Sequence, residues 1–324
     1  MAYFDGLISL PWIKDRTGSM STIDEPAKEI VVPSPEAVVD LRMSDGAPIR
    51  LRRYGNGRVR LLLSHGNGLA INAYAPFWEP LIDDFELVLF DIRNHGENPL
   101  HDPQQHNWPR ITQDIGEIFA GTQQQFGVKP TVGAFHSLSA VATLLNAVAG
   151  GPAWHALVLF DPPIFPPAGH PVQPAQIADM EDLTRRSAGR PVAYRSPEQF
   201  AAQLLQRRAF SRWVPGAHLL FAQSTLRPGP NGEWILCCPR ELEAHMFATN
   251  NDATLWSKLP SIAIPMIIIG ADADDPNAGP PARISRAIHE DLGIAYAGIP
   301  NTTHFLQTEQ PAACREALRA FLQR

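Results

Sequence analysis

Between Lys129 and Leu145 the chain reads Lys129-Pro-Thr-Val-Gly-Ala-Phe-His-Ser137-Leu-Ser-Ala-Val-Ala-Thr-Leu-Leu145. An apolar run stops at a serine, and a helix of small and aliphatic residues begins at once. On a sharp strand-to-helix corner the turn residue is pushed out of both elements, so its hydroxyl meets a substrate while the N–H groups opening the helix point at the same spot. Ser137 is therefore a candidate nucleophile, and the rest of the chain is read for its partners.

Short apolar runs without strict alternation recur on either side: Val59-Arg-Leu-Leu-Leu63, Phe85–Phe90, Thr131–Phe135, Ala156–Phe160, Pro265–Ile269 and Ile294–Ala297. Such runs are strands buried on both faces. The helical stretches Ile111–Phe126, Leu138–Val148, Pro281–Leu292 and Ala312–Leu322 lie between and after them. The alternation predicts an α/β class with a mostly parallel central sheet and helices on both faces. Val38–Met43 and Ile49–Tyr54 alternate apolar and polar residues around the turn Ser44-Asp-Gly-Ala, which predicts an antiparallel hairpin at a sheet edge.

Residues 1–35 lack periodicity and read as an N-terminal arm laid over the surface. Residues 36–164 and 258–324 form the core. Residues 165–257 show no buried strand, only helix-like segments (Pro197–Ala209, Pro239–Ala248) among Pro/Gly-rich turns such as Arg227-Pro-Gly-Pro-Asn-Gly232. A helical insertion between two strands sits above their carboxyl ends, where open parallel sheets bind ligands, so it is expected to be a cap that shapes a pocket and excludes water.

Bulk properties narrow the functions. With 324 residues, 44% of them hydrophobic, the chain builds a sizeable core. A formal net charge of -6 and the lack of long basic runs argue against nucleic acid and anionic membranes as partners. No stretch is long and apolar enough to span a bilayer, and Met1-Ala-Tyr-Phe-Asp5 has no signal-peptide character, so a cytoplasmic location is expected. Cys237, Cys238 and Cys314 have no metal-ligand spacing and read as reduced structural thiols.

A serine hydroxyl needs a base, and the base needs an orienting group. His304, in Ala297-Gly-Ile-Pro-Asn-Thr-Thr-His304, follows the last strand on the edge of the sheet that carries Ser137, and is the best base. Four strand-end carboxylates compete for the orienting role: Asp272, Asp274 and Asp275 after Pro265–Ile269, and Asp161 after Ala156–Phe160. Ser64-His65-Gly66-Asn67-Gly68 lets backbone approach a ligand closely, so the N–H groups of Asn67 and Leu138 are candidate donors to a developing oxyanion. His65 and His136 flank the site on different strand ends with no metal-binding pattern, and neither a metal nor another cofactor is expected.

The order of these parts resembles the α/β-hydrolase superfamily over about residues 38–324. Four segments carry the resemblance: His65-Gly66-Asn67-Gly68; Phe90-Asp-Ile-Arg-Asn-His-Gly-Glu-Asn98, similar to the family's Asp-x-Arg-x-His-Gly segment; Phe135-His-Ser137-Leu-Ser139 as nucleophile elbow; and His304. The insertion is similar to the family's cap domain. The resemblance implies an acid about nine residues beyond the proline opening the strand before the last. Counting from Pro265, that is Asp274, giving a triad of Ser137, Asp274 and His304, with Asp161 in reserve.

In the family elbow, Gly-x-Ser-x-Gly, small residues flank the serine so that strand and helix pack closely. Here Phe135 and Ser139 hold those places. A bulky Phe135 calls for a shifted turn or a reshaped site. Serine at the corner disfavours epoxide hydrolases and haloalkane dehalogenases, which resemble this architecture but use aspartate there. The implied activity is cofactor-independent hydrolysis of an ester, lactone or related small acyl substrate. Two alternatives use the same scaffold: carbon–carbon bond hydrolysis or oxygenation, and non-catalytic reception of a small ligand.

Overall fold

A computed structural model describes residues 29–323. The proposed arm therefore lies outside the described residues from 1 to 28. Eleven strands follow among the described residues: β1 (Ala37–Arg42), β2 (Pro48–Tyr54), β3 (Arg60–Ser64), β4 (Glu86–Phe90), β5 (Thr131–His136), β6 (Ala156–Phe160), β7 (Ala193–Tyr194), β8 (Leu226–Pro228), β9 (Trp234–Leu236), β10 (Met266–Gly270) and β11 (Ala295–Gly298). Eight of them form one sheet in the order β1-β2-β4-β3-β5-β6-β10-β11. The β1–β2 hairpin is antiparallel, β2 runs antiparallel to β4, and the six strands from β4 to β11 are parallel. This is the α/β architecture that the apolar runs predict, with the hairpin at the edge.

The central strands lack alternation because both their faces are covered. Leu61, Leu63, Val132, Ala134, Val158 and Phe160 face one core cluster, while Leu62, Phe135, Leu157 and Leu159 face the other. The two-residue period of a strand sorts each apolar run between two cores. Helices Trp108–Phe126 and Leu138–Val148 pack on each other, and Pro280–Leu292 covers the β10–β11 side. Among the described residues no helix is long and apolar enough to cross a membrane, and the three cysteines are buried free thiols.

The insertion between β6 and β10 contains helices Gln173–Ala188, Pro197–Leu205, Ala217–Thr225 and Arg240–Ala248. It also contains a small antiparallel sheet of order β7-β9-β8, which an all-helical reading misses. The Pro/Gly-rich turn Arg227–Gly232 lies in the β8–β9 hairpin. Strands of two or three residues, with five of their eight positions partly or fully exposed, leave no apolar run to recognise.

Candidate active site

Parallel pairing brings the carboxyl ends of β5, β6, β10 and β11 to one edge of the sheet. Ser137 follows β5 and caps the helix Leu138–Val148, with φ 54° and ψ -115°. A positive φ in a non-glycine residue costs of order 1–3 kcal/mol and persists only where the surroundings enforce it. Here the Ser137 N–H donates to the Phe160 carbonyl at 3.0 Å, pinning the corner to β6. The Ser139 hydroxyl donates to His136 O at 2.9 Å and accepts from His136 N–H at 3.2 Å, closing the turn from the helix side.

Phe135 packs into the core beneath this corner. Its ring lies fully buried, edge-on to Phe90 and Trp154 at centroid distances of 6.1 and 5.6 Å, and folds back over Gly133. A Cβ on Gly133 would sit 2.4 Å from Phe135 Cε2. The small residue that the elbow needs is thus two positions upstream, on the same face of β5.

The Ser137 hydroxyl lies 2.9 Å from His304 Nε2, and His304 Nδ1 lies 2.7 Å from Asp161 Oδ2. Since a carboxylate only accepts, Nδ1 carries the proton and Nε2 is free to take the serine's. The acid touching His304 is therefore Asp161, not Asp274. Asp161 directly follows β6, the strand between β5 and β10, and has φ 45°. It is fully buried, and its other oxygen accepts from Ala271 N–H at 3.1 Å.

Asp274 points outward, its side chain 81% exposed and paired with Arg286 at 2.7 Å. The other two aspartates are also engaged elsewhere. Asp275 pairs with Arg212, and Asp272 accepts from Asn301 N–H at 2.9 Å, anchoring the loop that carries His304.

The loop that carries the oxyanion candidate Asn67 packs against the serine. Gly66 comes so close that a Cβ on it would lie 2.9 Å from Ser137 Cβ. The Asn67 N–H has no partner among the described residues, and Leu138 N–H is at the first helical position, where no intrahelical acceptor exists. The Asn67 side chain donates to Glu243 O at 2.8 Å.

The sequence model described as the Alpha/beta hydrolase family matches residues 61–317. The chain belongs to the alpha/beta hydrolase family. No curated protein matches it in sequence. Among solved structures this hydrolase is similar to E-2-(acetamidomethylene)succinate hydrolase, with 18% identity, TM-score 0.69, and 89% of this chain and 100% of that chain covered. It is similar also to a thermophilic esterase from Thermogutta terrifontis (20%, TM-score 0.64, 89% and 98% covered) and to bromoperoxidase from Bacillus anthracis (15%, 0.65, 89% and 99%). At these identities the likeness is one of fold.

Sequence reasoning missed how the hydrolase uses its other buried histidines. The Gly66 N–H donates to the Tyr74 hydroxyl (3.3 Å), which lies 2.7 Å from His136 Nδ1, and His136 Nε2 lies 2.9 Å from His304 O. A carbonyl only accepts, so His136 carries its proton on Nε2 and Tyr74 donates to Nδ1. One chain of hydrogen bonds thus ties the loop His65–Gly68, the Ser137 corner and the loop carrying His304 together. Burial first, then the neighbouring His304, push His136 well below the ordinary histidine range, so it is a neutral spacer.

His65 is likewise buried neutral, accepting from Ile92 N–H at 3.1 Å. Asp91 binds Arg52 at 2.7 Å and Arg93 binds Asp114, so both brace loops beneath the site. Among the described residues, His95, His106 and Cys238 form the one cluster with metal-ligand potential. Both His95 nitrogens are already engaged, by Gly68 N–H and Arg93 O, so a metal there would have to break one of these bonds.

A cavity of about 520 Å³ opens onto Ser137 and His304 and is walled largely by the insertion. Phe200, Phe210 and Phe221 line it and also belong to the apolar packing around it, whereas Trp213 packs behind them.

Proposed function

We propose that this alpha/beta hydrolase is a cofactor-independent serine hydrolase that cleaves an ester, lactone or related small acyl substrate beneath a cap formed by residues 165–257. The observation that carries the reading is the relay Ser137 Oγ to His304 Nε2 at 2.9 Å, with His304 Nδ1 on Asp161 at 2.7 Å. Ser137 Oγ attacks the acyl carbon as its proton passes to His304 Nε2. Asp161 holds the required tautomer and stabilises the imidazolium. The oxyanion accepts from Asn67 and Leu138 N–H groups, whose dipoles are already fixed there. Collapse breaks the bond to the leaving group, which takes the proton from His304 and leaves an acyl-enzyme. Water, deprotonated by the same histidine, then releases the acid and restores Ser137.

A fluorophosphonate probe is expected to label Ser137 in the wild type and not in Ser137→Ala. Equal, weak labelling of both, with no turnover of short aryl esters by either, sinks the reading.

A further inference from the structure

The charges on the cavity wall are unevenly partnered. Seven charged side chains line it: Asp179, Glu243 and the five arginines 186, 190, 207, 208 and 212. Arg190 pairs with Glu243, Arg212 with Asp275, and Arg186 with Asp182. Arg207 and Arg208 have no ion pair or side-chain hydrogen bond among the described residues, although the protein carries a net charge of -6. They stand in the turn after helix Pro197–Leu205 and are exposed. Asp179, on the helix Gln173–Ala188, has no ion pair or side-chain hydrogen bond among the described residues either. Burial pushes its carboxyl up, while the attraction of His304 opposes this. The cavity that opens onto Ser137 and His304 is therefore lined by one unpaired carboxyl and two unpaired guanidinium groups, with the apolar side chains of Phe200, Leu204 and Phe210 among its walls.

We propose that the substrate carries an anionic group, a carboxylate or a phosphate, distal to its scissile acyl bond, and that Arg207 and Arg208 read it. A guanidinium presents a planar fork that matches either anion bidentately. An apolar spacer between that group and the ester would meet Phe200, Leu204 and Phe210, which line the same cavity. This inference rests on the acyl-transfer reading for its kinetics, though not for binding.

Two matched pairs of esters test it. Monomethyl glutarate against methyl pentanoate places the anion on the acyl side, and 4-acetoxybutanoate against butyl acetate places it on the leaving-group side. In one pair or both, kcat/KM for the charged member is expected to exceed that of the neutral one by about tenfold or more, the scale of a charge-assisted hydrogen bond. The ratio should fall with added salt and collapse toward one in Arg207→Gln/Arg208→Gln. Ratios near one in the wild type for both pairs, or a ratio the double variant leaves intact, overturn the proposal.

Calorimetric titration with glutarate and with uncharged glutaramide reads the charge preference independently of turnover. Glutarate binding that is lost in the double variant upholds the proposal even if no ester is cleaved, in which case the acyl-transfer reading alone fails. No preference for glutarate over glutaramide overturns it.

Discussion

The accommodation of Phe135 by Gly133 makes a quantitative prediction. Adding one methyl group in Gly133→Ala puts a carbon 2.4 Å from Phe135 Cε2 and 2.9 Å from Leu157 Cδ2, both far inside ordinary contact. The Phe135 ring has little room to retreat, since it is 0% exposed and wedged edge-on between Phe90 and Trp154. Overpacking of this kind costs about 1–3 kcal/mol, and the immobile ring argues for the upper half of that range. Phe135→Ala alone leaves a cavity and costs about 3–5 kcal/mol.

In the double variant the clash with the ring is gone and only the 2.9 Å contact with Leu157 Cδ2 remains, so most of the penalty should vanish and the coupling energy should reach about 1–2 kcal/mol. Urea unfolding of the four proteins measures this cycle. A second readout is the rate at which a fluorophosphonate labels Ser137: the strained ring is only two residues from the nucleophile, so Gly133→Ala should slow labelling and Phe135→Ala should restore it in the double variant. If Gly133→Ala costs the same in both backgrounds, the glycine is not there to admit the ring, and the account of the elbow is wrong.

Asp161→Asn should lower kcat by roughly 10⁴-fold, because an amide favours the wrong tautomer of His304. Asp274→Asn, which breaks only the exposed pair with Arg286, should leave kcat unchanged; steady-state kinetics on an aryl ester compares the two, and the reverse pattern would refute the assignment. Tyr74→Phe strands the buried His136 Nδ1 and should cost about 1–3 kcal/mol of stability in urea unfolding, with kcat falling more than KM changes; a neutral outcome on both counts would show the hydrogen-bonded chain to be idle. Burial pushes His106 down to about 3, so the unfolded chain binds its proton near pH 6.5 while the folded chain does not. The contribution is full above pH 6.5, and stability then falls by about 1.4 kcal/mol per pH unit as pH drops toward 3. Burial pushes His65, His95 and His136 the same way, so thermal melts should decline steeply below pH 6.5, less so in His106→Gln; melts that stay flat to pH 5 contradict the neutral state of these rings.

The parts of the fold legible in the sequence are those whose signal is a local repeat. Leu61–Leu63 and Leu157–Phe160 are apolar at every position because each neighbour turns to a different core, and that pattern survives reading without coordinates. The hairpin around Ser44–Ala47 shows by alternation for the converse reason, since only one face of β1 is covered. The sheet β7-β9-β8 has too few residues per strand for any period to register. Gly133 was in plain view as well, but its meaning lies in a contact with the residue two places on, which only the direction of the Phe135 ring reveals.

The choice among acids shows a different limit. Asp161 and Asp274 both follow strands that end at the same edge, so topology alone admits either. What separates them is how the chain leaves its strand. Asp161 turns at once, at φ 45°, and is held against the sheet, whereas β10 runs on into a loop whose carboxylates satisfy one another's neighbours: Asp272 takes Asn301 N–H, Asp275 takes Asn277 N–H and Asp274 takes Arg286. The end of β10 still serves the site, but with a backbone N–H, from Ala271 to Asp161, in place of a side chain. With the acid on β6, directly between the strands of Ser137 and the β10–β11 pair, the loop after β10 is relieved of catalytic geometry. Asp275 is then free to hold Arg212 on the cavity wall. Moving the acid one strand inward thus links two features that the sequence presents as unrelated, a misplaced triad member and an arginine-lined pocket.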